Sequence, residues 1–407
     1  MDIAIIGAGA AGVFTAINAK NKENNVCIIE KNNKIGKKLF ITGKGRCNIT
    51  NAKFFDEFLE NIVVNKKFMY SSFTNFDNYA LMDYMENKGL KLVVQRGDRV
   101  FPKSEKSNDV IKFFEKLIIK NHIDLKLNEN VEKINKNEKE KFIVKTNKDS
   151  YVFDKVVIAT GGLSYPLTGS TGDGYKFAKE FSHNIIDTKP ALCPIKFKDI
   201  DLDSLNGISL KNVSLNVETD KKKLSEFGDM LIGRNFITGP IVLTMSSLIN
   251  RSKIKKIYID LKPALDFEKL DNRLLRDFEN DPNKDIVNIL KKLLLNAFVE
   301  IVLKRGKVDF HKKANQITKE ERFKLIKEIK KFKLEYNGLS DVKNGIITSG
   351  GVDCKEINPK TMESKKVSGL YFVGEVTDVD TLTGGYNLQI AFSEAYACAE
   401  NLRSINE

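Results

Sequence analysis

A short apolar run followed by three spaced glycines opens this chain and constrains its fold more than any other feature. Ile3–Ile6 has the pattern of a buried strand, and Gly7, Gly9 and Gly12 follow at G-x-G-x-x-G spacing. In this pattern the first glycine forms a tight turn, the second admits a pyrophosphate and the third lets a helix pack against the strand. The N–H groups at the helix start then face the diphosphate. The segment predicts a nucleotide-binding strand–turn–helix unit.

A second apolar run, Val26–Ile29, places an acid where such a unit needs one. The run ends at Glu30, eighteen positions after Gly12, close to the spacing of about 20 expected for the carboxylate that binds a ribose hydroxyl. The alternative is an ordinary strand–turn–helix that requires small residues. Because strand, turn, helix, strand and acid occur in the expected order, the pattern favours the nucleotide site. Ala11 and Lys31 join Glu30 and the glycines as cofactor-binding candidates.

A glycine-punctuated basic loop follows over residues 35–51. Its glycines permit close backbone approach to a flat or phosphorylated ligand, and its basic residues would counter negative charge. A flexible surface loop is the alternative, but such a loop seldom carries a cysteine and an arginine between glycines. The cofactor-binding candidates here are Lys38, Gly45, Arg46 and Asn48.

The next part of the chain alternates between helical and strand-like patterns. Helices are expected at 52–63, 75–88 and about 108–121, the last capped by Ser104 or Ser107, with a short strand at 91–95. Segments near 130–136, 141–146 and 150–153 predict a three-stranded meander, and Val131 within it is a cofactor-binding candidate.

A third apolar run, Val156–Ala159, ends at Thr160, Gly161 and Gly162. It has the pattern of a buried parallel strand, and the carboxyl ends of such strands open onto the ligand crevice. These three residues are therefore also candidates for cofactor binding.

The C-terminal part completes the nucleotide domain. A strand over residues 369–375 ends at Gly374 and Glu375, which are cofactor-binding candidates, and a helix is expected to begin at Gly385. The positive end of that helix dipole would face a bound cofactor and stabilise negative charge on it. The alternative is that the glycines merely relieve a tight turn. The candidates at this helix start are Gly385, Asn387, Leu388 and Gln389.

This order of features is that of FAD-binding domains of the glutathione-reductase type. The predicted fold is therefore α/β, with an FAD-binding Rossmann-like domain and two inserted domains. The FAD-binding domain is expected to comprise residues 1–190 and 343–407. A domain of short strands, either a barrel or a sandwich, is expected at residues 191–261 and 334–342, and a basic helical domain at residues 262–333. No second G-x-G-x-x-G follows a strand, so a separate nicotinamide-binding domain is not expected.

Composition restricts the class of protein further. The 407 residues contain no apolar run of the about 18 residues that a membrane helix needs, and no signal peptide is expected. Five cysteines without metal spacing fit a reducing cytoplasm, and only three histidines argue against a His-based metal site. We therefore expect a cytoplasmic protein without metal and without a membrane partner.

The net charge of +13, from 67 Lys and Arg against 54 Asp and Glu, has two interpretations. A lysine-rich surface follows from an AT-rich genome. Such bias does not, however, require basic residues to outnumber acidic ones. The excess favours a polyanionic partner such as RNA, through phosphate attraction and counterion release.

The whole chain resembles a bacterial flavoprotein family, the BaiN-like or aminoacetone-oxidase-like NAD(P)/FAD-dependent oxidoreductases. The matching segments span nearly the full length and are Gly7–Gly12, Gly36–Asn51, Arg99–Pro102, Ala159–Gly174, Gly239-Pro240, Thr361–Ser364 and Gly369–Ala391. The resemblance implies an FAD domain with an inserted β-barrel-like domain and a small helical domain. This chain departs from the family pattern at Gly43-Lys44-Gly45, where three glycines are usual, and at Asn235-Phe236, where Phe-Gly is usual.

Members of this family have been linked to reduction of C=C bonds in bile-acid intermediates, to amine oxidation and to dihydrouridine formation in 23S ribosomal RNA. The first hypothesis is dihydrouridine formation, with NAD(P)H as a transient electron donor, because single-stranded RNA needs a phosphate-binding surface. Basic residues of the helical insertion could supply it, namely Lys291, Lys292, Lys304, Arg305, Lys307, Lys312, Lys313, Arg322, Lys324, Lys327, Lys330, Lys331 and Lys333. A small-molecule reductase or oxidase is the second hypothesis, and a flavin-loaded binding protein without turnover is the third.

Reduction of a uracil C5–C6 bond needs hydride delivery to C6 and a side-chain acid that protonates C5. Cys47 is the first candidate acid, because the resemblance places its loop near the flavin. Arg46 next to it could tune its pKa or hold a developing anion. The alternative for Cys47 is a small packed residue that shapes the loop. Tyr386 is the second candidate, with a wall of the flavin site as its alternative role.

Overall fold

The computed structural model describes residues 1–405, without the side chains of residues 200, 201 and 203. The chain divides into two compact units. Unit 1 contains Met1–Ala191 and the chain from Asp341 onward, and unit 2 contains Leu192–Ser340. The predicted division of the insertion into a barrel-like domain and a helical domain stays a prediction.

Unit 1 combines fifteen described strands with eight described helices. The strands are β1 (Asp2–Ile6), β2 (Asn25–Ile29), β3 (Thr50–Asn51), β4 (Ile62–Val64), β5 (Leu92–Gln95), β6 (Arg99–Pro102), β7 (Asp124–Lys126), β8 (Val131–Lys136), β9 (Phe142–Thr146), β10 (Ser150–Phe153), β11 (Lys155–Ile158), β12 (Ile185–Ala191), β20 (Ile347–Val352), β21 (Leu370–Phe372) and β22 (Asp380–Thr381). The helices are α1 (Ala10–Ala19), α2 (Lys37–Ile41), α3 (Phe55–Leu59), α4 (Lys66–Asn75), α5 (Asn78–Asn87), α6 (Ser107–Lys120), α7 (Asp173–Glu180) and α13 (Tyr386–Ser404).

A parallel sheet with strand order β21-β11-β1-β2-β7 forms the centre of unit 1. β1 pairs with β2 on one side and with β11 on the other, so the three apolar runs of the sequence lie side by side. Parallel strands buried on both faces have continuous apolar sequences, which explains these runs. The carboxyl ends of β1, β2, β11 and β21 consequently meet at one edge of the sheet.

Helix α1 is covered by the C-terminal helix α13, which closes the domain from the other end of the chain. Phe14 of α1 packs edge-on against Phe392 of α13, with ring centroids 5.0 Å apart. The predicted meander is present as the antiparallel sheet β10-β9-β8. The predicted helix near 108–121 is confirmed as α6.

The structure differs from the sequence predictions between residues 52 and 107. The expected helix 52–63 is the short α3 followed by the strand β4, and α4 was not predicted. The strand β6, over residues for which no element was predicted, pairs with β5. Neither predicted serine caps α6, because the Ser107 hydroxyl donates a hydrogen bond to the Phe40 carbonyl instead. Tertiary hydrogen bonding therefore overrides the local signal.

Unit 2 contains a seven-stranded sheet with helices that share one hydrophobic cluster with it. Its strands are β13 (Ile195–Phe197), β14 (Ser209–Thr219), β15 (Lys223–Gly233), β16 (Phe236–Thr238), β17 (Ile254–Asp260), β18 (Phe332–Leu334) and β19 (Tyr336–Leu339). Its helices are α8 (Pro240–Ile249), α9 (Phe267–Asn280), α10 (Ile286–Leu290), α11 (Asn296–Gly306) and α12 (Lys319–Lys330). The predicted change from strands to helices near residue 263 is confirmed.

Candidate dinucleotide-binding site

The turn from β1 to α1 is shaped by two glycines that the fold itself requires. Gly7 has a left-handed φ of 103°, and its N–H donates to the Ile29 carbonyl. A Cβ atom on Gly12 would lie 2.0 Å from the Gly7 carbonyl oxygen. No side chain fits at that distance, so Gly12 allows the close packing of helix on strand that the sequence pattern predicts.

Gly9, between them, has a different reason to be glycine. It has an ordinary φ of −77°, and a Cβ atom there would meet nothing within 4 Å. It is the N-cap of α1 and leaves the first turn without a side-chain cap. The fold therefore does not demand glycine at this position. A ligand close to the helix N-terminus would need glycine here, because a side chain would occupy its space. The unpaired N–H groups of the first turn suit a diphosphate.

Glu30, at the carboxyl end of β2, is buried and fixes the loop. Its carboxylate accepts hydrogen bonds from the backbone N–H of Ala8 at 2.7 Å and of Asn32 at 2.8 Å. Lys31 points away from these groups and pairs with Asp173 and Thr171. The acid predicted at the ribose position is thus held rigidly beside the glycine turn.

A second polar network lies at the carboxyl ends of β11 and β21. The Glu375 carboxylate accepts hydrogen bonds from the Ser164 hydroxyl at 2.8 Å and from the Thr348 N–H at 2.9 Å. Lys38 forms an ion pair with the same carboxylate. A Cβ atom on Gly162 would lie 2.5 Å from the Thr348 hydroxyl, so this turn needs glycine. Ser164 and Thr348 were not predicted as site residues.

Two of the predicted residues have buried polar atoms without a partner in the described part of the chain. They are Oδ1 of Asn48 and Oγ1 of Thr160. An unpaired buried polar atom costs about 1–3 kcal/mol. A dinucleotide cofactor offers donors and acceptors that would satisfy both atoms. The residues present therefore fit such a group.

The basic loop adopts an unusual backbone. Gly43, Lys44, Gly45 and Cys47 all have left-handed φ values, between 57° and 83°. For lysine and cysteine this conformation is strained, and such strain concentrates at functional sites. A Cβ atom on Gly45 would meet nothing within 4 Å. Space beside Gly45 is thus available to a ligand, as it is beside Gly9.

The Cys47 side chain is fully buried, with 0% of its surface exposed. Burial raises the pKa of this thiol to about 12. Arg46 does not lower it, because its guanidinium pairs with Glu105 at 3.2 Å and stacks on the Phe101 ring at 4.5 Å. A role of Arg46 toward the Cys47 thiol stays a prediction.

The start of α13 presents backbone rather than side chains. A Cβ atom on Gly385 would lie 2.4 Å from the Thr50 carbonyl oxygen. The Asn387 amide bonds back to Thr381 and Leu382, and the Gln389 amide bonds to Thr50, Phe76 and Ser393. Leu388 packs at the edge of the main cluster. These side chains thus fix the helix start.

Tyr386, the second candidate acid, is buried against the Phe58 ring, with ring centroids 4.8 Å apart, and burial raises its pKa to about 12.

The remaining cofactor-binding candidates lie near the carboxyl ends of the strands. Val131 begins β8 and packs in the same cluster as Ile29. Gly374 approaches Ala11 so closely that a Cβ atom would lie 2.8 Å from the Ala11 side chain. Gly161 is left-handed, with a φ of 73°. Most predicted residues therefore lie in the turns at one edge of the parallel sheet.

One buried acid of this region was not predicted. Glu394, in the middle of α13, is 0% exposed and accepts hydrogen bonds from the Gly374 N–H at 2.6 Å and the Thr377 hydroxyl at 3.1 Å. Burial raises its pKa to about 8. Glu394 is the one charged residue in the apolar, alanine-rich stretch of residues 390–399, and this is the sequence signal that could have identified it.

In the described part of the chain, no group of three or more His, Cys, Asp or Glu side chains is arranged for a metal ion. None of the helices within residues 1–405 combines the length and apolar character of a bilayer-crossing segment.

The parallel sheet, the glycine turn with its buried acid and the C-terminal helix start define the class of this protein. It is an α/β enzyme of the FAD-dependent oxidoreductases. Within that class, the chain belongs to the HI0933-like protein Rossmann domain family, whose model matches residues 1–401.

Two relatives and one fold neighbour show what this chain is similar to. The chain is 32% identical to the ribosomal RNA dihydrouridine synthase of Haemophilus influenzae, over 97% of this chain and 96% of that protein. It is 26% identical to the 3-dehydro-bile acid delta(4,6)-reductase of Clostridium scindens, over 97% of each. The 3-ketosteroid delta1-dehydrogenase of Sterolibacterium denitrificans shares the fold with a TM-score of 0.53, at 12% identity and over 99% of each chain.

Proposed function

We propose that this protein reduces the C5–C6 bond of a uridine in 23S ribosomal RNA to dihydrouridine, with FAD as cofactor and NAD(P)H as electron donor. The observation that carries the proposal is the 32% identity to a ribosomal RNA dihydrouridine synthase across almost the whole chain. The +13 charge adds support, because a polyanionic substrate is attracted to a basic protein.

The residues at the sheet edge would hold FAD. The N–H groups at the start of α1, beside Gly9, would bind the diphosphate, and Glu30 would bind a ribose hydroxyl. The turn at Thr160–Gly162 and the loop at Gly45–Asn48 would line the isoalloxazine and its ribityl chain. The start of α13, at Gly385, would direct its positive dipole end at the flavin. When bound, FAD supplies the hydride equivalent that the uracil C6 atom accepts.

The chain's own task in the reaction is to deliver a proton to uracil C5. Together, a hydride at C6 and a proton at C5 add two electrons and two hydrogens to the ring, and NAD(P)H replaces the electrons. Cys47 and Tyr386 are proposed as the donors. Both have a pKa near 12, so each holds its proton at neutral pH.

The competing function is a small-molecule reductase that acts on an enone. The full-length similarity to a bile-acid reductase supports it. A second observation is that many basic residues of the helical insertion are neutralised by ion pairs, for example Lys312 with Glu321 and Lys313 with Asp285. These lysines contribute little net charge toward a polyanion.

The deciding measurement is the dihydrouridine content of 23S ribosomal RNA from cells with and without the gene. We expect one modified uridine to be lost without the gene and restored when that RNA is incubated with purified holoprotein and NADPH. If no uridine changes while NADPH still reduces the bound flavin, the RNA proposal is wrong and enone substrates should be tested.

A further inference from the structure

The excess positive charge of this chain is concentrated in unit 2. Residues 192–340 contain 30 Lys and Arg against 21 Asp and Glu, a net +9 out of the total of +13. The helical segment of residues 262–333 contains 19 Lys and Arg against 12 Asp and Glu, so it carries +7 of this net charge, and about half of its cations are ion-paired. Such pairs join Lys292 to Asp281, Arg322 to Asp271, Lys324 to Glu320 and Lys330 to Asp260. A single-stranded nucleic acid, however, also needs a place where exposed cations and aromatic rings lie together.

The antiparallel sheet offers such a place, because its two faces differ sharply. Along β14 the side chains of Leu215 and Val217 are buried, whereas those of Ser214, Asn216 and Glu218 alternate with them and are partly exposed. The three partly exposed residues of β14, together with the residues that pair with them on neighbouring strands, form one polar face of the sheet. We call it the polar sheet face, and it contains Ser214, Asn216, Glu218, Lys223, Ser225, Phe227, Lys256, Tyr258 and Lys333.

Register places these residues in rows across the strands. Lys223, Glu218 and Lys256 form one row, and Ser225, Asn216, Tyr258 and Lys333 form the next. Phe227 and Ser214 form a third row, together with Asp260, whose carboxylate is already paired with Lys330. Residues in adjacent rows of one face are close enough to contact one extended ligand.

Three lysines of this face have their charge available. The side-chain amines of Lys223, Lys256 and Lys333 are exposed and form no ion pair within residues 1–405. Lys222, Lys253 and Lys255 are exposed at the same end of the sheet, where the Asp220 N–H bonds to the Lys253 carbonyl. Glu218 and Asp220 are acids that lie among them, and the lysines outnumber these two. The end of the sheet is thus net positive.

The same face exposes aromatic rings. Phe227, on an inner strand of the sheet, has 63% of its surface exposed, and Tyr258 is partly exposed two strands away. An aromatic ring surrounded by polar residues on a sheet surface is a platform on which a base can stack, and every base has a π-face. Neighbouring lysines supply the phosphate contacts that such binding requires.

We infer that the polar sheet face of unit 2 binds a single-stranded RNA segment, with bases stacked on Phe227 and Tyr258 and phosphates bound by Lys223, Lys256 and Lys333. The inference rests on the proposed function for its RNA partner. It adds the sheet to the helices as a surface that contacts RNA.

The test compares two triple variants of the holoprotein. One is Lys223→Gln/Lys256→Gln/Lys333→Gln on the polar sheet face. The control is Lys198→Gln/Lys269→Gln/Lys284→Gln, which removes the same charge from exposed lysines that are ion-paired with Glu335, Asp266 and Asp281. Binding of labelled oligouridine is measured against salt concentration, with circular dichroism as a check on folding.

We expect the sheet variant to bind oligouridine at least about tenfold more weakly, with a salt slope reduced by about 2. The control is expected to stay within about twofold of wild type. Phe227→Ala is expected to weaken oligouridine binding by about tenfold. It should leave heparin binding unchanged, because heparin has charge but no bases. Phe227→Tyr should restore the oligouridine affinity.

Two results would overturn the inference. In one, the sheet variant binds oligouridine and forms dihydrouridine like wild type, which leaves the proposed function intact. In the other, Phe227→Ala changes nothing, so charge alone acts. If wild type binds oligouridine through this face but forms no dihydrouridine in ribosomal RNA, the proposed function fails and the binding surface stands.

Discussion

The glycines of the first turn show how much the reason for a residue can differ within six positions. Gly12 is required by packing, since a Cβ atom would lie 2.0 Å from a carbonyl oxygen, whereas Gly9 faces open space. In the sequence, both glycines are simply members of the same G-x-G-x-x-G motif. The structure shows that packing requires Gly12 and that open space lies beside Gly9, where we propose that the ligand binds.

A Gly9→Ala variant should therefore lose FAD without losing its fold. The added methyl group meets no protein atom, so we expect the free energy of unfolding to change by less than about 1 kcal/mol. It would occupy space next to the diphosphate, so FAD affinity should fall at least about tenfold. Thermal melting of the apoprotein and titration with FAD measure the two effects. Gly12→Ala is the contrasting variant, and its melting temperature should be much lower than that of wild type. Equal FAD affinity of Gly9→Ala and wild type would contradict the role proposed for Gly9.

A variant at Cys47 tests the proposal that this residue is the proton donor. If its thiol protonates uracil C5, a Cys47→Ala variant should form dihydrouridine about 100-fold more slowly, the scale expected for loss of a general acid. The measurement is single-turnover dihydrouridine formation with flavin reduced in advance. An unchanged rate would remove Cys47 from the chemistry and leave it as a packed residue of the strained loop. Tyr386→Phe, measured in the same way, examines the second candidate.

Glu394 should make the stability of the protein depend on pH. Its pKa is raised from 4.5 to about 8 in the folded state, so the folded chain binds more protons than the unfolded chain between these values. The free energy of unfolding should therefore fall as pH rises through that range, by up to about 1.4 kcal/mol per pH unit. This stabilisation is fully present below pH 4.5 and is lost as pH passes about 8.

Urea unfolding at several pH values measures this dependence. Glu394→Gln cannot titrate and should flatten the curve between pH 5 and 8, whereas Glu138→Gln, at an exposed position, should follow wild type. Parallel curves for wild type and Glu394→Gln would show that another group is responsible.

At the scale of elements, the buried ion pair between α9 and α12 joins helices that are far apart in sequence. Arg322 is 8% exposed, and its guanidinium binds the Asp271 carboxylate at two points, one of them 3.2 Å long. We expect Arg322→Met to lower the free energy of unfolding by about 3 kcal/mol, since it leaves a partly buried carboxylate unpaired. Lys324→Met, which breaks an exposed pair on the same helix, should cost less than about 1 kcal/mol.

The double variant Asp271→Leu/Arg322→Met separates charge from packing. Replacing both partners of a buried pair by apolar residues is often neutral, so most of the lost stability should return. Urea unfolding provides the values. If the double variant is as unstable as Arg322→Met, the guanidinium acts by packing rather than by neutralising the carboxylate.

Elements also show where local pattern fails. The C-terminal helix begins where its glycines predict, because the left-handed backbone at Gly385 is a local requirement. In contrast, residues 52–64 have helical periodicity but end in β4, because Ile62 and Val64 pair with β22 from the far end of the chain. Pairing across more than 300 residues cannot be read from a local window.

At the scale of the whole molecule, each hydrophobic cluster lies within one of the two units. Unit 1 should therefore fold and bind FAD without unit 2. The prediction is tested by replacing residues 192–340 with a Gly/Ser linker of about five residues between Ala191 and Asp341. We expect flavin absorbance and cooperative melting to remain, and dihydrouridine formation to fall below detection.

The control for this deletion is the same linker inserted after Ala191 in the full-length chain. Aggregation of the shortened protein, with normal behaviour of the insertion control, would show that unit 1 depends on unit 2. Dihydrouridine formation by unit 1 alone would show that the RNA contacts lie in unit 1.

By itself the sequence determined the nucleotide-binding unit, the meander and the sheet edge at which the candidate residues gather. These features depend on short-range rules, namely strand periodicity, glycine spacing and the carboxyl ends of parallel strands. Only the tertiary structure decided which side chains remain available there. It turned Asn387 and Gln389 inward, buried Cys47 and brought Glu394 to Gly374.

The same division applies to charge. The sequence established the excess of +13 but placed its effect on the helices of residues 262–333. Ion pairs such as that of Arg322 with Asp271, which join residues 51 positions apart, decide which of these cations remain available to a ligand. An ion pair depends on distances of a few ångströms in space, and these distances arise only when the chain has folded.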